Sequence, residues 1–350
     1  MQFVLKNGEY KKILELCEKF AGTVEPGFRF VRLHYFKGLR FFVSDGCGKL
    51  ELAVNKEVSP FSGTYILPID QVRVLKERKS KEENIQFSLG DKKLVISANG
   101  DRLIIENSKI EERPRMERKF EALFKMELSE FRRKLNFASS INVEGEMVTI
   151  FGGGNETAMV STSSNMTVIA FLKTESKRNF QVSLPYVTVR HLFKALETLK
   201  NVEIVFGDGI NDVGLKAGPL LFSFCNDRTP VYEERIFSLK KNTYKETPID
   251  RNLLLTGLKK MARLVKKGFS VLLISKAETL KLLVKTGNFK YETTLAISEF
   301  PEFFAKIDPH RLRSAVSRCS SKKLFIAIHG KELLISDRLK EYMVSIPITL

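Results

Sequence analysis

Hydrophobic and polar positions follow the same order in three long stretches of the chain. The stretch from Tyr65 to Ser97 begins with a short apolar run, continues with a basic amphipathic segment and ends with two alternating runs around a glycine. Alternation of apolar and polar residues predicts strands, and apolar residues at helical spacing predict a helix. Each stretch therefore predicts a strand, a helix and a hairpin, and the other two begin at Phe180 and Phe304.

The three stretches are evenly spaced. The residues that open the three helices, and the glycines predicted to turn the three hairpins, are separated by 117 and 123 residues in both sets. The first set is Leu67, Leu184 and Ile307, and the second is Gly90, Gly207 and Gly330. A repeat longer than about 100 residues exceeds a solenoid unit and predicts three similar domains.

A second helix precedes each of these stretches in the predicted pattern. Apolar residues at helical spacing predict the three additional helices over residues 9–20, 129–138 and 251–266, with alternating runs that predict strands after each. The predicted fold class is α+β, with two helices per domain packed on antiparallel sheets.

Two charged segments separate the predicted domains. Residues 111–119 are predicted to be an exposed linker, and residues 238–245 are predicted to be a second, polar linker. The predicted domains are residues 1–117, 118–243 and 244–350.

The composition indicates a polyanionic partner. The chain has 58 Lys and Arg against 41 Asp and Glu, a net charge of +17. Such an excess suits nucleic acid or an anionic membrane surface. No apolar run is long enough to span a membrane, and the first residues do not resemble a signal peptide. The four cysteines are scattered, which favours a reduced, cytoplasmic location.

Every predicted helix has a basic side. A surface that faces a polyanion is our interpretation, and the alternative is ordinary solvation of surface helices. The helix 129–138 is expected to expose Lys134 together with its two arginines. The residues expected to contact DNA on the helices are Arg73, Lys76, Arg132, Arg133, Arg190, Lys194, Lys259, Arg263, Arg311 and Arg313.

No catalytic motif stands out. The four histidines lack metal-ligand spacing, and no Gly-x-Ser-x-Gly nucleophile elbow occurs. The run Gly152-Gly153-Gly154 lacks the Gly-Lys-Ser/Thr of a phosphate loop and predicts a hairpin turn. We expect no enzyme activity, metal or cofactor. A nuclease built from dispersed carboxylates is the remaining enzymatic alternative.

The whole chain resembles the bacterial sliding clamp, the beta subunit of DNA polymerase III. The resemblance is carried by the length, the threefold repeat with two helices per domain, and linkers near residues 117 and 243. The chain also ends in Ile346-Pro347-Ile348-Thr349-Leu350, which matches the apolar-Pro-apolar-x-Leu tail of clamps.

The resemblance implies a DNA-binding processivity factor in replication. It implies a head-to-tail homodimeric ring around double-stranded DNA, a replicative polymerase and a clamp loader as partners, and no membrane. Basic helices would line the hole, and Arg29 lies in the loop that corresponds to a DNA-contacting loop of clamps. The alternative is a clamp-like paralogue that acts in DNA repair or regulation.

The resemblance also implies a pocket for partner peptides. Carried over by position, its residues are Val148, Thr162, Pro230, Val344, Ile346, Pro347 and Ile348. The sequence departs from the family here, because Thr162-Ser163-Ser164-Asn165-Met166-Thr167 replaces the usual Thr-Asp-Gly-His-Arg-Leu. Glu234 falls near the position of a basic residue, with Arg235 adjacent. The altered residues motivate the paralogue alternative.

Overall fold

The computed structural model describes most of the chain in two compact units. It describes residues 1–22, 25–46, 48–77, 80–153, 156–163, 165–174, 176, 179–210, 212–225, 233–276, 278–297 and 300–349. The first unit comprises residues 1–129 and 187–226, and the second comprises residues 130–186 and 227–350. This division does not test the predicted three domains, which stay a prediction.

The described residues form seven helices and 25 strands, and all strand pairs are antiparallel. Up to residue 127 the elements are β1 (Gln2–Lys6), α1 (Asn7–Phe20), β2 (Phe30–Tyr35), β3 (Leu39–Ser44), β4 (Gly48–Val54), β5 (Thr64–Pro68), α2 (Ile69–Val72), β6 (Asn84–Leu89), β7 (Lys93–Ala98), β8 (Asp101–Glu106), β9 (Lys109–Ile110) and β10 (Glu121–Glu127). From there to residue 241 they are α3 (Leu128–Ala138), β11 (Met147–Gly153), β12 (Glu156–Ser163), β13 (Met166–Leu172), β14 (Phe180–Pro185), α4 (Tyr186–Leu196), β15 (Glu203–Asp208), β16 (Asp212–Ala217), β17 (Leu220–Cys225) and α5 (Glu233–Lys241). The last elements are β18 (Thr247–Asp250), α6 (Arg251–Leu264), β19 (Val271–Lys276), β20 (Thr279–Thr286), β21 (Phe289–Ile297), β22 (Phe303–Ile307), α7 (Pro309–Arg318), β23 (Lys323–His329), β24 (Glu332–Ser336) and β25 (Tyr342–Pro347).

Each unit contains one small and one large sheet. The first unit has a four-stranded sheet, β1-β6-β7-β8, and a nine-stranded sheet, β10-β15-β16-β17-β4-β3-β2-β5-β9. The second has an eight-stranded sheet, β14-β11-β12-β13-β25-β24-β23-β18, and a four-stranded sheet, β21-β20-β19-β22. The fold is therefore α+β with antiparallel sheets, as predicted.

The three repeated stretches form the predicted strand, helix and hairpin. They are β5–α2–β6–β7, β14–α4–β15–β16 and β22–α7–β23–β24. In every copy the strand before the helix and the hairpin after it belong to different sheets. The helix therefore connects one sheet to the next. The first copy is shorter than predicted, because α2 ends at Val72 and continues as a 3-10 helix over Arg73–Glu77.

The predicted turn at Gly207 is wrong. Gly207 lies inside β15 and pairs with Gly214 of β16. A Cβ atom on Gly214 would lie 2.5 Å from the ring of Phe120. These glycines therefore make room for an aromatic ring on the sheet, which is a common reason for glycine inside a strand.

Capping explains where α6 and α7 begin, and burial follows their apolar spacing. The side chain of Asp250 accepts hydrogen bonds from the first backbone N–H groups of α6, and Asp308 does the same for α7. A carboxylate at this position satisfies donors that a helix start leaves unpaired. Helix α6 buries Leu254, Leu258 and Met261, as its apolar spacing predicts.

Both predicted linkers are partly buried. Residues 111–120, which we term the strap, lie along the nine-stranded sheet and bury Pro114 and Met116. The second linker begins inside helix α5, which buries Ile236 and Leu239. Charge content does not reveal these contacts, because the few apolar side chains determine which face is buried.

No helix within the described ranges combines the length and the hydropathy that crossing a membrane requires.

Candidate functional site

The predicted DNA-contacting residues near α1 and α2 are ion-paired. The guanidinium of Arg29 lies 3.1 Å from the carboxylate of Asp70, and the ammonium of Lys76 lies 2.8 Å from that of Glu18. Arg73 lies 3.8 Å from Glu18. The hydrogen bond with Arg29 lowers the pKa of the exposed Asp70. These acids reduce the positive field that the three basic residues present.

Helices α4 and α6 present basic residues without acids of their own. Lys194 and Arg190 are exposed on α4, and Lys259 and Arg263 are exposed on α6, opposite its buried side. Neither helix contains Asp or Glu within its bounds. Within the described ranges, Lys194, Lys259 and Arg263 make no ion pair. They are therefore available to a polyanion.

The two predicted arginines of α7 differ. Arg313 is exposed, whereas only 19% of the Arg311 side chain is exposed. Arg311 donates from Nη1 to the Ile141 carbonyl oxygen at 3.0 Å and to the Glu146 carboxylate at 3.1 Å. Arg311 therefore holds α7 to the segment after α3, and its guanidinium is largely withdrawn from solvent.

The basic residues of α3 differ in exposure. Arg133 is exposed and Arg132 is half-buried. The predicted exposure of Lys134 is wrong, because its side chain is fully buried. Its ammonium lies 2.9 Å from the carboxylate of Glu341 and 4.1 Å from the centre of the Tyr342 ring. The carboxylate of Glu341, which is distant in sequence but close in space, allows Lys134 to be buried as part of an ion pair.

These helix faces suit contact with phosphates. Exposed Lys and Arg side chains attract a nucleic acid backbone without reading its bases. The acid-free helices α4, α6 and α7 supply exposed cations in both units. In the part of the chain that the structure describes, no cluster of three or more His, Cys, Asp or Glu residues is arranged to hold a metal ion.

A small cavity lies beside α5 in the second unit, and we term it the α5 pocket. Its volume is about 90 Å³. It is lined by Val160, Thr162, Thr167, Ile169, Arg235, Ile236, Leu239, Glu332 and Ser345.

The α5 pocket has an apolar base and a polar rim. Ile236 and Leu239 belong to a buried cluster under α5 that includes Phe151 and Met343. At the rim, the hydroxyls of Thr162 and Thr167 lie 3.1 Å apart. Arg235 and Glu332 form an ion pair, also at the rim. The pocket can accept a short apolar side chain next to polar side chains.

The structure places only part of the predicted peptide pocket here. Thr162 lines the α5 pocket. Side chains alternate along β25, so Ser345 faces this pocket while the buried Val344 and Ile346 face the opposite side of the sheet. Val148 on β11 is also buried, and its side chain lies on the opposite face of the strand from Phe151, which belongs to the cluster under α5. The carry-over is therefore out of register for these three residues.

Two of the remaining predicted pocket residues lie at the end of β25: Pro347 is exposed, and Ile348, which follows the strand, is buried. Pro230 lies outside the described residues. The prediction missed Ile236 and Leu239 because no helix was predicted here and residues 238–245 were treated as a polar linker. Their apolar spacing of three residues was the available signal.

Comparisons with known proteins rest on structure alone. No protein-family model matches the sequence, and no curated protein matches it. The solved DNA polymerase III subunit beta of Pseudomonas aeruginosa is similar over 100% of both chains, with a TM-score of 0.84 and 16% identity. The DNA polymerase sliding clamp of Bacillus subtilis gives a TM-score of 0.81 at 15% identity, over 100% of this chain and 99% of that one. The DNA polymerase III beta subunit of Thermotoga maritima gives 0.78 at 14% identity, with the same coverage.

The chain therefore has the fold of the bacterial DNA sliding clamps. More particularly, the likeness is to the beta subunit of DNA polymerase III, at a sequence identity expected of a divergent chain.

Proposed function

We propose that this protein is a DNA sliding clamp, a non-catalytic ring that encircles duplex DNA and tethers a polymerase. The observation that carries the proposal is the likeness to sliding clamps over the full length of the chain. The exposed basic residues on acid-free helices support contact with the phosphate backbone. A cytoplasmic location, a clamp loader and a replicative polymerase as partners belong to the same proposal.

The sheet topology supports a head-to-tail dimer. Strand β4 pairs with β17, and β13 pairs with β25, so each large sheet joins strands from two successive repeats. By position in the repeat, β8 corresponds to β17 and β25, and β21 corresponds to β4 and β13. Both β8 and β21 are edge strands of four-stranded sheets. Pairing β8 of one protomer with β21 of its partner would repeat the same junction.

Apolar side chains on these edges favour this pairing. Ile104 on β8 is 44% exposed, and Phe289 on β21 is 45% exposed. Exposed edge strands with apolar residues tend to pair with another chain. A head-to-tail contact of this kind closes into a ring when the rotation between protomers allows it.

Topological retention on DNA tests the proposal. The protein is loaded on nicked circular DNA, the complex is isolated, and half of it is linearised. We expect the protein to remain on the circle at high salt and to be lost from the linear DNA, because the ring slides off a free end. Equal retention on both forms would contradict encirclement.

Charge reversal tests the DNA-facing surface. The variant replaces Lys194, Lys259, Arg263 and Arg313 with Glu, and we expect weaker binding and a smaller salt dependence. Lys93→Glu on β7 is the matched control, since it is exposed and changes charge away from the helices. An unchanged salt dependence in the fourfold variant would show that these faces do not meet DNA.

A clamp-like paralogue is the second candidate, and the α5 pocket favours it. Ser163 and Asn165 stand in the segment where sliding clamps carry a different motif, and Glu332 pairs with Arg235 at the rim. We propose that these changes alter the choice of partner peptide. Binding of a standard clamp-binding peptide in the nanomolar-to-micromolar range would argue against the paralogue. Metal-dependent DNA degradation that a single carboxylate substitution abolishes would instead support a nuclease.

A further inference from the structure

A larger cavity lies beside the strap in the first unit, and we term it the strap pocket. Its volume is about 370 Å³, against about 90 Å³ for the α5 pocket. Cavities that bind small groups commonly measure roughly 300 to 1,000 Å³. The strap pocket is therefore large enough for a bulky side chain and its neighbours.

The position of the strap pocket follows from the repeat. It lies on β3, β4 and β15 to β17, where β4 joins β17, and the strap passes over it. The α5 pocket lies where β13 joins β25, beside α5. Both cavities therefore occur where the sheets of successive repeats join, next to the segment that links the repeats.

The walls of the strap pocket are aromatic and its floor is backbone. The guanidinium of Arg118 lies 4.1 Å from the centre of the Phe36 ring, and Phe120 covers the paired glycines Gly207 and Gly214. The strap is thus held down at both residues. The glycines let the Phe120 ring lie directly against the sheet backbone at one side of the cavity.

The charge of Glu51 is satisfied by its neighbours. Arg118 donates to both carboxylate oxygens, and His34 Nε2 lies 3.1 Å from Oε2. Burial opposes ionisation of Glu51, but its interactions with His34 and Arg118 outweigh burial and lower its pKa. Glu51 and Arg118 therefore balance each other's charge within the protein.

Two further cations line the strap pocket, and one of them contacts Glu51 only at long range. Arg40 Nη1 is 3.9 Å from Glu51, and its Nε donates to the Phe36 carbonyl oxygen at 3.1 Å. Lys216 is exposed and makes no ion pair within the described ranges. The pocket therefore has a positive excess beside an apolar interior that includes Ala53.

We propose that the strap pocket binds a segment of a partner protein in which an aromatic or large apolar side chain adjoins carboxylates. The apolar side chain enters between the aromatic walls, and the carboxylates meet Arg40 and Lys216. Charge complementarity and the repeated junction with its neighbouring linker argue for a peptide rather than a free small molecule. The proposal does not depend on DNA encirclement.

Fluorescence polarisation with defined peptides on the full chain tests this proposal. The probe is a labelled peptide that contains phenylalanine followed by two aspartates. One matched peptide replaces the aspartates with asparagine, and another replaces the phenylalanine with serine. We expect the probe to bind with a Kd below about 1 mM and both matched peptides to bind about tenfold more weakly.

Two variants place the binding in the strap pocket. Lys216→Glu reverses the exposed charge, and Ala53→Leu fills the cavity without changing charge. We expect each to weaken probe binding about tenfold or more. Lys93→Glu is the control and should bind like the unaltered chain. Circular dichroism and retention on circular DNA should be unchanged in all three variants.

Several outcomes would overturn the proposal. One is that the probe does not bind the unaltered chain with a Kd below about 1 mM. Another is that both pocket variants bind the probe as tightly as the unaltered chain does. Displacement of the probe by benzoate at lower concentration than by unlabelled peptide would indicate a small-molecule site. Displacement by a single-stranded oligonucleotide that Lys216→Glu prevents would indicate a nucleic acid site. Loss of DNA retention in the unaltered chain would contradict the sliding-clamp function and leave the peptide result standing.

Discussion

The buried ion pair between α3 and the start of β25 makes a sharp prediction about stability. The Lys134 side chain is fully buried, and its ammonium lies 2.9 Å from the Glu341 carboxylate, which is 12% exposed. Lys173 approaches the other carboxylate oxygen at 2.7 Å from a largely exposed position. Replacing Glu341 with Gln leaves the Lys134 ammonium buried without the carboxylate that contacts it. We expect a loss of about 3 kcal/mol in the free energy of unfolding of the second unit.

The matching lysine substitution should cost far less. Lys134→Met keeps the length of the side chain and removes the buried charge, and Glu341 keeps its contact with Lys173. We expect a change within about 1 kcal/mol, because Lys173 still balances the charge of Glu341 and no uncompensated buried charge remains. The double variant should recover about 2 kcal/mol relative to Glu341→Gln, because no unpaired ammonium remains.

Urea unfolding measures these differences. The chain contains no Trp, so far-UV circular dichroism follows the transition, and hydrogen exchange of α3 and β25 assigns it to the second unit. Asp70→Asn, at an exposed ion pair of the first unit, is the control and should leave the transition unchanged. A cost below about 1 kcal/mol for Glu341→Gln would refute the reasoning, as would a double variant no more stable than that single one.

The same contacts give further expectations for pH and for single substitutions. Burial opposes ionisation of Glu341, but its lysine partners outweigh burial and lower its pKa below 4.5. Its contribution to stability should therefore be complete above about pH 4.5 and lost as the pH falls through the lowered folded value, and acid unfolding of Glu341→Gln should lack this component. Gly214→Ala places a methyl group against the Phe120 ring and should cost about 1 to 3 kcal/mol, measured by urea unfolding of the first unit. Arg311→Gln should destabilise the second unit by about 1 to 3 kcal/mol, because it removes charged hydrogen bonds. Arg313→Gln should leave the urea midpoint unchanged and weaken DNA binding at low salt. A destabilised Arg313→Gln, or an unaffected Arg311→Gln, would reverse these assignments.

The different contacts of basic residues matter for function. Arg311 is committed to Ile141 and Glu146, whereas Lys259 and Arg263 make no ion pair within the described ranges. A positive side chain on a surface helix can therefore hold the protein together or remain available to a polyanion. Total charge does not distinguish these uses, but exposure and partner distances do.

The amino-acid sequence determined the local elements of this protein. Alternating runs and helical spacing predicted a strand, a helix and a hairpin in all three repeated stretches, because these periods arise from backbone geometry within a few residues. They did not fix the turn of the second hairpin, since Gly207 lies inside β15. The likeness to sliding clamps was also predicted, since the interval between Leu67, Leu184 and Ile307 is visible in the chain.

The tertiary structure decided what the sequence left open. Lys134 is buried because it pairs with Glu341. The two residues lie 207 positions apart in the sequence, beyond the reach of any local pattern. The strap and α5 are buried through a few apolar side chains in segments that composition marks as polar. Strand β25 shows the finest distinction, because a shift of one residue exchanges Val344 for Ser345 at the α5 pocket. Local periodicity predicts that a strand forms, but long-range pairing determines which of its faces meets a partner.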